Sequence, residues 1–343
     1  MKAYKTLKVL SFLIIGLGSK AHAILGIPDN VVGLFSMPRS VPELNIDRNS
    51  VTVSGISSGG FMAVQLGVAY SSEIKGVGVV AGGIYDCSEG KMSLAKDMCM
   101  KNPARIDVTR NVQRTMDFYK DGLIDNPQNI RNQNIFVLQG TEDAVVGREG
   151  GPKLAEYYSN LGAKVETEFK IKSGHGFPVL EGHGDCNVSK PPWVNGCKYS
   201  AAGAIFKSMY GPMKSPTNKN KQTLLSISQF EFGADQANML GYAQLYVPEQ
   251  CKDSTTQCRL HVAMHGCMQS PNAAGLAFVE DAGYNEWAEA NNIGVLYPAA
   301  ATTMNNPAGC WDWFGYTGKN YAVKSSKQAQ VIMAMVHRLL GNK

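Results

Sequence analysis

The chain has 343 residues, a formal net charge of +5, 44% hydrophobic residues and eight cysteines. Lys2, Lys5, Lys8 and Lys20 lie in the first 23 residues, which hold no acid, so the remainder carries only +1. So neutral a surface gives no electrostatic basis for binding nucleic acid or an anionic membrane.

The first element is a leader. Lys2, Lys5 and Lys8 form a basic region, Val9 to Gly18 is a short apolar run, and Ala21-His22-Ala23 has the small-residue pattern of a cleavage site. The run is too short to span a bilayer stably. The expectation is a signal peptide over residues 1–23, export to the periplasm or medium, and a mature chain of residues 24–343 without an integral membrane segment. A monomer is expected.

Strand-like and helix-like segments then alternate. Val51–Val53, Val77–Ala81, Ile135–Leu138 and Val165–Ile171 read as strands, and Phe61–Tyr70, Val108–Phe118 and Pro152–Leu161 as helices. That alternation predicts a parallel sheet with helices on both faces. The linker-like stretch Tyr210–Gln222 follows, containing the basic run Lys214–Lys221. After it come a hairpin (Leu225–Phe232, Tyr242–Val247), the strand Leu260–Met264, a helix near Phe278–Ala290, the strand Ile293–Tyr297 and a last helix, Lys327–Leu340. Neither side of the linker looks complete alone, so a single α/β domain is expected.

Between the first strand and helix stands Gly55-Ile56-Ser57-Ser58-Gly59. Strand, G-x-S-x-G turn and helix make a nucleophile elbow, in which a sharp bend lifts a serine hydroxyl above the sheet. A Gly/Ser turn with no chemistry is the alternative. A serine nucleophile needs a base, and the base an orienting acid. Asp143 lies just past the strand Ile135–Leu138, where an acid points into the crevice; it fits Gly-x-x-Asp-x-x-Val better than Glu142 does. His175, in a glycine-flanked loop after the next strand, is the candidate base, with His183 its competitor. Two backbone N–H groups must hold the oxyanion: Ser58, after the nucleophile, and Cys267, in His265-Gly266-Cys267. That His-Gly loop ordinarily precedes the serine. Here it follows the histidine, so the order is restored only by reading 223–343 before 24–210, and the chain reads as circularly permuted.

In an exported chain, eight cysteines favour disulfides. Pairing of neighbours is expected, Cys87 with Cys99, Cys186 with Cys197, Cys251 with Cys258 and Cys267 with Cys310, although sequence leaves connectivity open. His175, His183, Cys186 and Cys197 lack the spacing of a zinc site, and neither metal nor cofactor is called for.

Three segments, Gly-Ile-Ser-Ser-Gly-Gly-Phe-Met-Ala (55–63), His-Gly-Cys (265–267) and Gly-Cys-Trp-Asp-Trp-Phe (309–314), resemble the circularly permuted poly(3-hydroxybutyrate) depolymerases. The resemblance covers most of residues 45–340. It implies a secreted serine esterase on one permuted α/β-hydrolase domain, with a crevice for a polyester. It also implies Ser57 as nucleophile, Asp143 as acid, His175 as base, and Ser58 and Cys267 as oxyanion donors. It favours a Cys267–Cys310 bridge holding the oxyanion loop beside the Trp311 loop. Trp311 and Trp313 are the aromatic candidates for contacting an ester chain; Trp311 is taken as substrate-binding, with core packing as the alternative for both. A feruloyl or acetyl-polysaccharide esterase, and a non-catalytic binding protein on a hydrolase scaffold, are the competing functions.

Overall fold

Short runs of small and β-branched residues build a sheet whose central parallel strands are buried on both faces. A computed structural model describes residues 38–216 and 224–341. The expected leader, residues 1–23, and residues 217–222 of the linker-like stretch lie outside the described residues. In chain order, the first half contributes β1 (Thr52–Ile56), α1 (Ser58–Ala69), β2 (Gly76–Val80), α2 (Val108–Lys120), β3 (Asn134–Leu138), α3 (Gly150–Asn160) and β4 (Lys164–Glu168). Three short strands follow, β5 (Phe177–Val179), β6 (Gly184–Asp185) and β7 (Val194–Gly196), then α4 (Ala201–Tyr210). The second half contributes β8 (Leu224–Ser228), β9 (Tyr242–Tyr246), β10 (Arg259–Met264), α5 (Ala277–Asp281), α6 (Tyr284–Asn291), β11 (Ile293–Tyr297) and α7 (Lys327–Leu339).

The main sheet has the order β4-β3-β2-β1-β10-β11-β9-β8. Pairing is parallel from β4 to β11, and β9 and β8 are antiparallel. The two halves of the chain join at β1 and β10, with Thr52 opposite His261 and Gly55 opposite Met264. The strand carrying Ser57 therefore lies beside the strand leading to Cys267, although some two hundred residues separate them. This is the permutation: one end of the sheet comes from the C-terminal half.

Side chains alternate across the strands with period two. In β3, Ile135 and Val137 face the core under α1, α2, α3 and α7, and Phe136 and Leu138 face the core under α4 and α6. β4 is the sheet's edge, and its exposed Lys164, Glu166 and Thr167 discourage a further strand from pairing there.

Several boundaries differ from the sequence reading. The helix expected at 278–290 is two helices, because Gly283 adopts φ +84° between them. β4 stops at Glu168, and β8 stops at Ser228, after which Phe230–Phe232 is a 3-10 turn. All eight cysteines are bridged, Cys87–Cys99, Cys186–Cys197, Cys251–Cys258 and Cys267–Cys310, each to its expected neighbour. Among the described residues no helix is long and apolar enough to cross a membrane.

Candidate active site

Ser57 sits where β1 turns into α1, with φ 55° and ψ −123°. A side chain with positive φ is strained, and the strain persists only where the surroundings enforce it. The two flanking glycines show how. A β-carbon at Gly55 would lie 2.3 Å from the main chain of Gly59, and one at Gly59 would lie 2.3 Å from the carbonyl oxygen of Met264. The elbow thus closes on itself and against the end of β10. Ser57 N–H donates to Val80 O at 3.0 Å and Ser57 O accepts from Phe61 N–H at 3.0 Å, anchoring the bend to β2 and α1.

The loops after β3 and β4 are joined in the same manner. Thr141 N–H donates to Ile171 O at 2.9 Å, and Glu142 N–H to Ser173 O at 3.2 Å. A β-carbon at Gly140 would lie 2.2 Å from Ser173 O, so only glycine allows this approach. The result is a 2.9 Å contact between His175 Nδ1 and Asp143 Oδ2, both residues being buried. The carboxylate is held from its other side. Oδ1 accepts from the N–H groups of Val145 (2.9 Å) and Val146 (3.0 Å), and Oδ2 also accepts from Gln139 Nε2 at 3.2 Å. With Asp143 Oδ2 as the acceptor, the contact places the proton on Nδ1 of His175 and leaves the lone pair on Nε2. His175 is fixed further by its backbone N–H, which donates to Ser189 Oγ at 2.8 Å, and by the edge-on ring of Trp193 at 6.1 Å.

Ser57 and His175 line one cavity of about 450 Å³, whose walls are mainly apolar. His183 lies elsewhere: it is exposed and bonded to Asp281 at 2.9 Å. Trp311 does not reach the cavity. It is wholly buried, packed 5.2 Å from the His265 ring within the core, so the substrate-contact role expected for it is corrected. Trp313, two residues on, lines the cavity and stacks on Phe61 at 4.1 Å with an interplanar angle of 14°. Trp193 and Met268 form other parts of the wall. No motif marked these two: Trp193 belongs to the short strand–loop segment after His175, and Met268 merely follows His-Gly-Cys.

The His265-Gly266-Cys267 loop leaves β10 against the elbow; a β-carbon at Gly266 would stand 3.3 Å from Ser57 Cβ. His265 is structural. Its Nδ1–H donates to Gly266 O at 2.7 Å and its Nε2 accepts from Ala300 N–H at 3.1 Å. Burial pulls its pKa down to about 4, so the ring is neutral at physiological pH. Around the loop, Gly266 N–H donates to Gln269 Oε1 (2.7 Å), Met268 N–H to Ala308 O (2.7 Å) and Gln269 N–H to Gly266 O (3.3 Å). Among the described residues, the Cys267 N–H is the one donor from 266 to 269 without an acceptor. The Cys267–Cys310 bridge ties it to the loop carrying Trp313.

Sheet order and elbow together define an α/β-hydrolase whose strands have been permuted in the chain. No family model matches the sequence. The chain is 38% identical over 315 residues to a poly(3-hydroxybutyrate) depolymerase of Delftia acidovorans, covering 90% of this chain and 63% of that one. It is 35% identical over 322 residues to a polyhydroxybutyrate depolymerase of Talaromyces funiculosus, covering 88% of this chain and 92% of that one. The crystal structure of PHB depolymerase from Penicillium funiculosum superposes with a TM-score of 0.80 at 34% identity, over 88% of this chain and 99% of that one. A serine-to-alanine PHB depolymerase complexed with an R3HB trimer superposes with a TM-score of 0.81 at 34% identity over the same shares. The chain belongs to the polyhydroxybutyrate depolymerase family. It spans slightly less than two thirds of the length of the Delftia relative.

Proposed function

We propose that the protein is an exported serine esterase that hydrolyses poly(3-hydroxybutyrate) or its oligomers through an acyl-enzyme on Ser57. The observation that carries this reading is a strained Ser57 sharing an apolar cavity with His175, whose other ring nitrogen meets buried Asp143. Family membership and the trimer bound to a serine variant of a relative support the choice of substrate.

Nε2 of His175 takes the Ser57 proton as Oγ attacks the ester carbonyl. The negative charge that forms on the carbonyl oxygen is held by the N–H groups of Ser58 and Cys267. Collapse breaks the bond to the leaving alkoxide, which receives the proton from His175 and departs as the alcohol end of a hydroxyacid chain. Water, deprotonated by the same nitrogen, attacks the acyl-enzyme, and the proton returns to Ser57 as the acid product leaves. Asp143 holds the tautomer and stabilises the imidazolium at each transfer. Nothing in this sequence requires a metal or a cofactor.

The lysine-rich leader ending at Ala23 and four disulfides support export, with residues 24–343 as one catalytic domain acting as a monomer. The test is Ser57→Ala, assayed on hydroxybutyrate oligomers and on a short p-nitrophenyl ester. Turnover and covalent labelling by a serine-directed phosphonate are both expected to vanish. Retained turnover overturns the assignment, and a wild-type enzyme inert toward hydroxybutyrate but active on feruloyl or acetyl esters overturns the substrate.

A further inference from the structure

Two of the loops that meet at the cavity are joined by one side chain that the mechanism does not use. Gln269 is 2% exposed and lines the cavity wall. Its Oε1 accepts from Gly266 N–H at 2.7 Å, while its Nε2 donates to Pro192 O at 3.0 Å and Trp193 O at 3.2 Å. The amide has one possible orientation here, because reversing it would set an NH2 against an N–H and an oxygen against two carbonyls. Gly266 immediately precedes Cys267. Trp193 packs edge-on against His175, and its carbonyl also accepts from Phe177 N–H at 2.7 Å, two residues beyond His175. One carboxamide therefore bridges the loop of the oxyanion donor and the loop that backs the base.

We propose that Gln269 is a positioning residue that sets the Cys267 N–H against Ser57 by tying the 265–269 loop to the 189–193 loop; this rests on the serine-esterase reading above. Gln269 has no hydrogen bond to Ser57, Asp143 or His175 among the described residues, so it acts through the backbone. By occupying Gly266 N–H it removes the neighbouring donor that could compete for the carbonyl oxygen, and leaves Cys267 N–H as the free one. Truncating it orphans the buried Gly266 N–H and the half-buried Pro192 O, and the loop must turn to satisfy them. That turn displaces the donor beside it. A tetrahedral oxyanion is more sensitive to such displacement than a bound ester, so kcat should suffer more than KM.

The experiment uses the full mature enzyme with Gln269→Ala, Gln269→Met and Gln269→Glu. Active sites are counted by exhaustive phosphonate labelling, so that unfolded protein does not enter the rate. For Gln269→Ala and Gln269→Met, kcat per labelled site should fall about 10- to 100-fold with KM within about threefold of wild type. Glu keeps the acceptor for Gly266 N–H but sets a carboxylate oxygen against two carbonyls. Burial and that repulsion raise its pKa, and only its protonated form donates again. The ratio of kcat for Gln269→Glu to that of wild type should therefore rise as pH falls from about 8 to about 6. A role in general stability alone would not produce that rise. Wild-type kcat per site in Gln269→Met, or a pH-independent ratio for Gln269→Glu, overturns the proposal. An active Ser57→Ala overturns the esterase reading instead, so the two failures are distinct.

Discussion

Gly59→Ala tests whether the elbow and β10 are held at a fixed separation. A β-carbon at residue 59 would lie 2.3 Å from Met264 O and 2.4 Å from His265 O. Both are main-chain atoms at the end of β10, so no rotamer change relieves the clash. Ordinary contact begins near 3.4 Å, and the elbow and β10 must therefore part by about 1 Å in an interior with no slack. His265 leads directly into Cys267, so the shift falls on the distance between Ser57 and the Cys267 N–H. A displacement of that size is expected to lower kcat by about 10²-fold, and overpacking to destabilise the fold by about 1–3 kcal/mol. Gly294→Ala, in β11, is the matched control, since its nearest neighbour beyond the adjoining residues would be 3.7 Å away. It should be neutral, or stabilising by up to about 1 kcal/mol. Urea unfolding and p-nitrophenyl ester turnover, normalised to phosphonate-labelled sites, measure both effects. If Gly59→Ala unfolds with Gly294→Ala and keeps wild-type kcat, the close approach of elbow and β10 is wrong.

Asp143→Asn should keep the fold, because the amide oxygen can still accept from Val145 and Val146. Its NH2 then faces His175 Nδ1, forces the proton to Nε2 and is expected to lower kcat about 10³- to 10⁴-fold; a loss below tenfold would contradict the assigned role. His261 and His265 are both buried, and desolvation lowers their pKa values to about 3 and about 4. The unfolded chain takes up these protons below about pH 6.5 and the folded chain does not, so each histidine removes roughly 1.4 kcal/mol of stability per pH unit from 6.5 down toward its folded pKa. Denaturation at pH 7 and pH 5 should show the drop, and His261→Gln should shrink it; an unchanged pH dependence in that variant would refute the desolvation account. Replacing Cys267 and Cys310 together by serine opens a bridge of sequence separation 43, against 7 for Cys251–Cys258. Chain entropy gives losses of about 4 and about 2.5 kcal/mol. Only the first pair should also lower kcat, since only it holds the 265–269 loop to which the oxyanion donor is proposed to belong; equal kcat in the two double variants would count against that loop's proposed role.

The readable parts of this protein were those set by neighbours in the chain. The strain at Ser57 and the crowding of Gly55 against Gly59 are local, so the elbow was plain in a pentapeptide, whereas the crowding of Gly59 against Met264 and His265 comes from β10. Asp143 was proposed from its place just past a strand, since a strand's end fixes where the next few residues emerge, and the structure brings it to His175. The disulfides joined sequence neighbours, and even the permutation showed, as a His-Gly-Cys loop out of its usual order. Exposure was another matter. Trp311 and Trp313 are two residues apart in one motif, yet the first is sealed against His265 and the second faces the cavity on Phe61. Which tryptophan is covered depends on β10 and α1 arriving from distant parts of the chain. The same holds for the pairing of His175 rather than His183 with Asp143, set by the zipped loops at Gly140 and Ser173, and for Gln269, two of whose partners lie 77 and 76 residues away. Periodicity and backbone sterics act over a few residues and are written locally; burial and hydrogen-bond partnership belong to the assembled sheet.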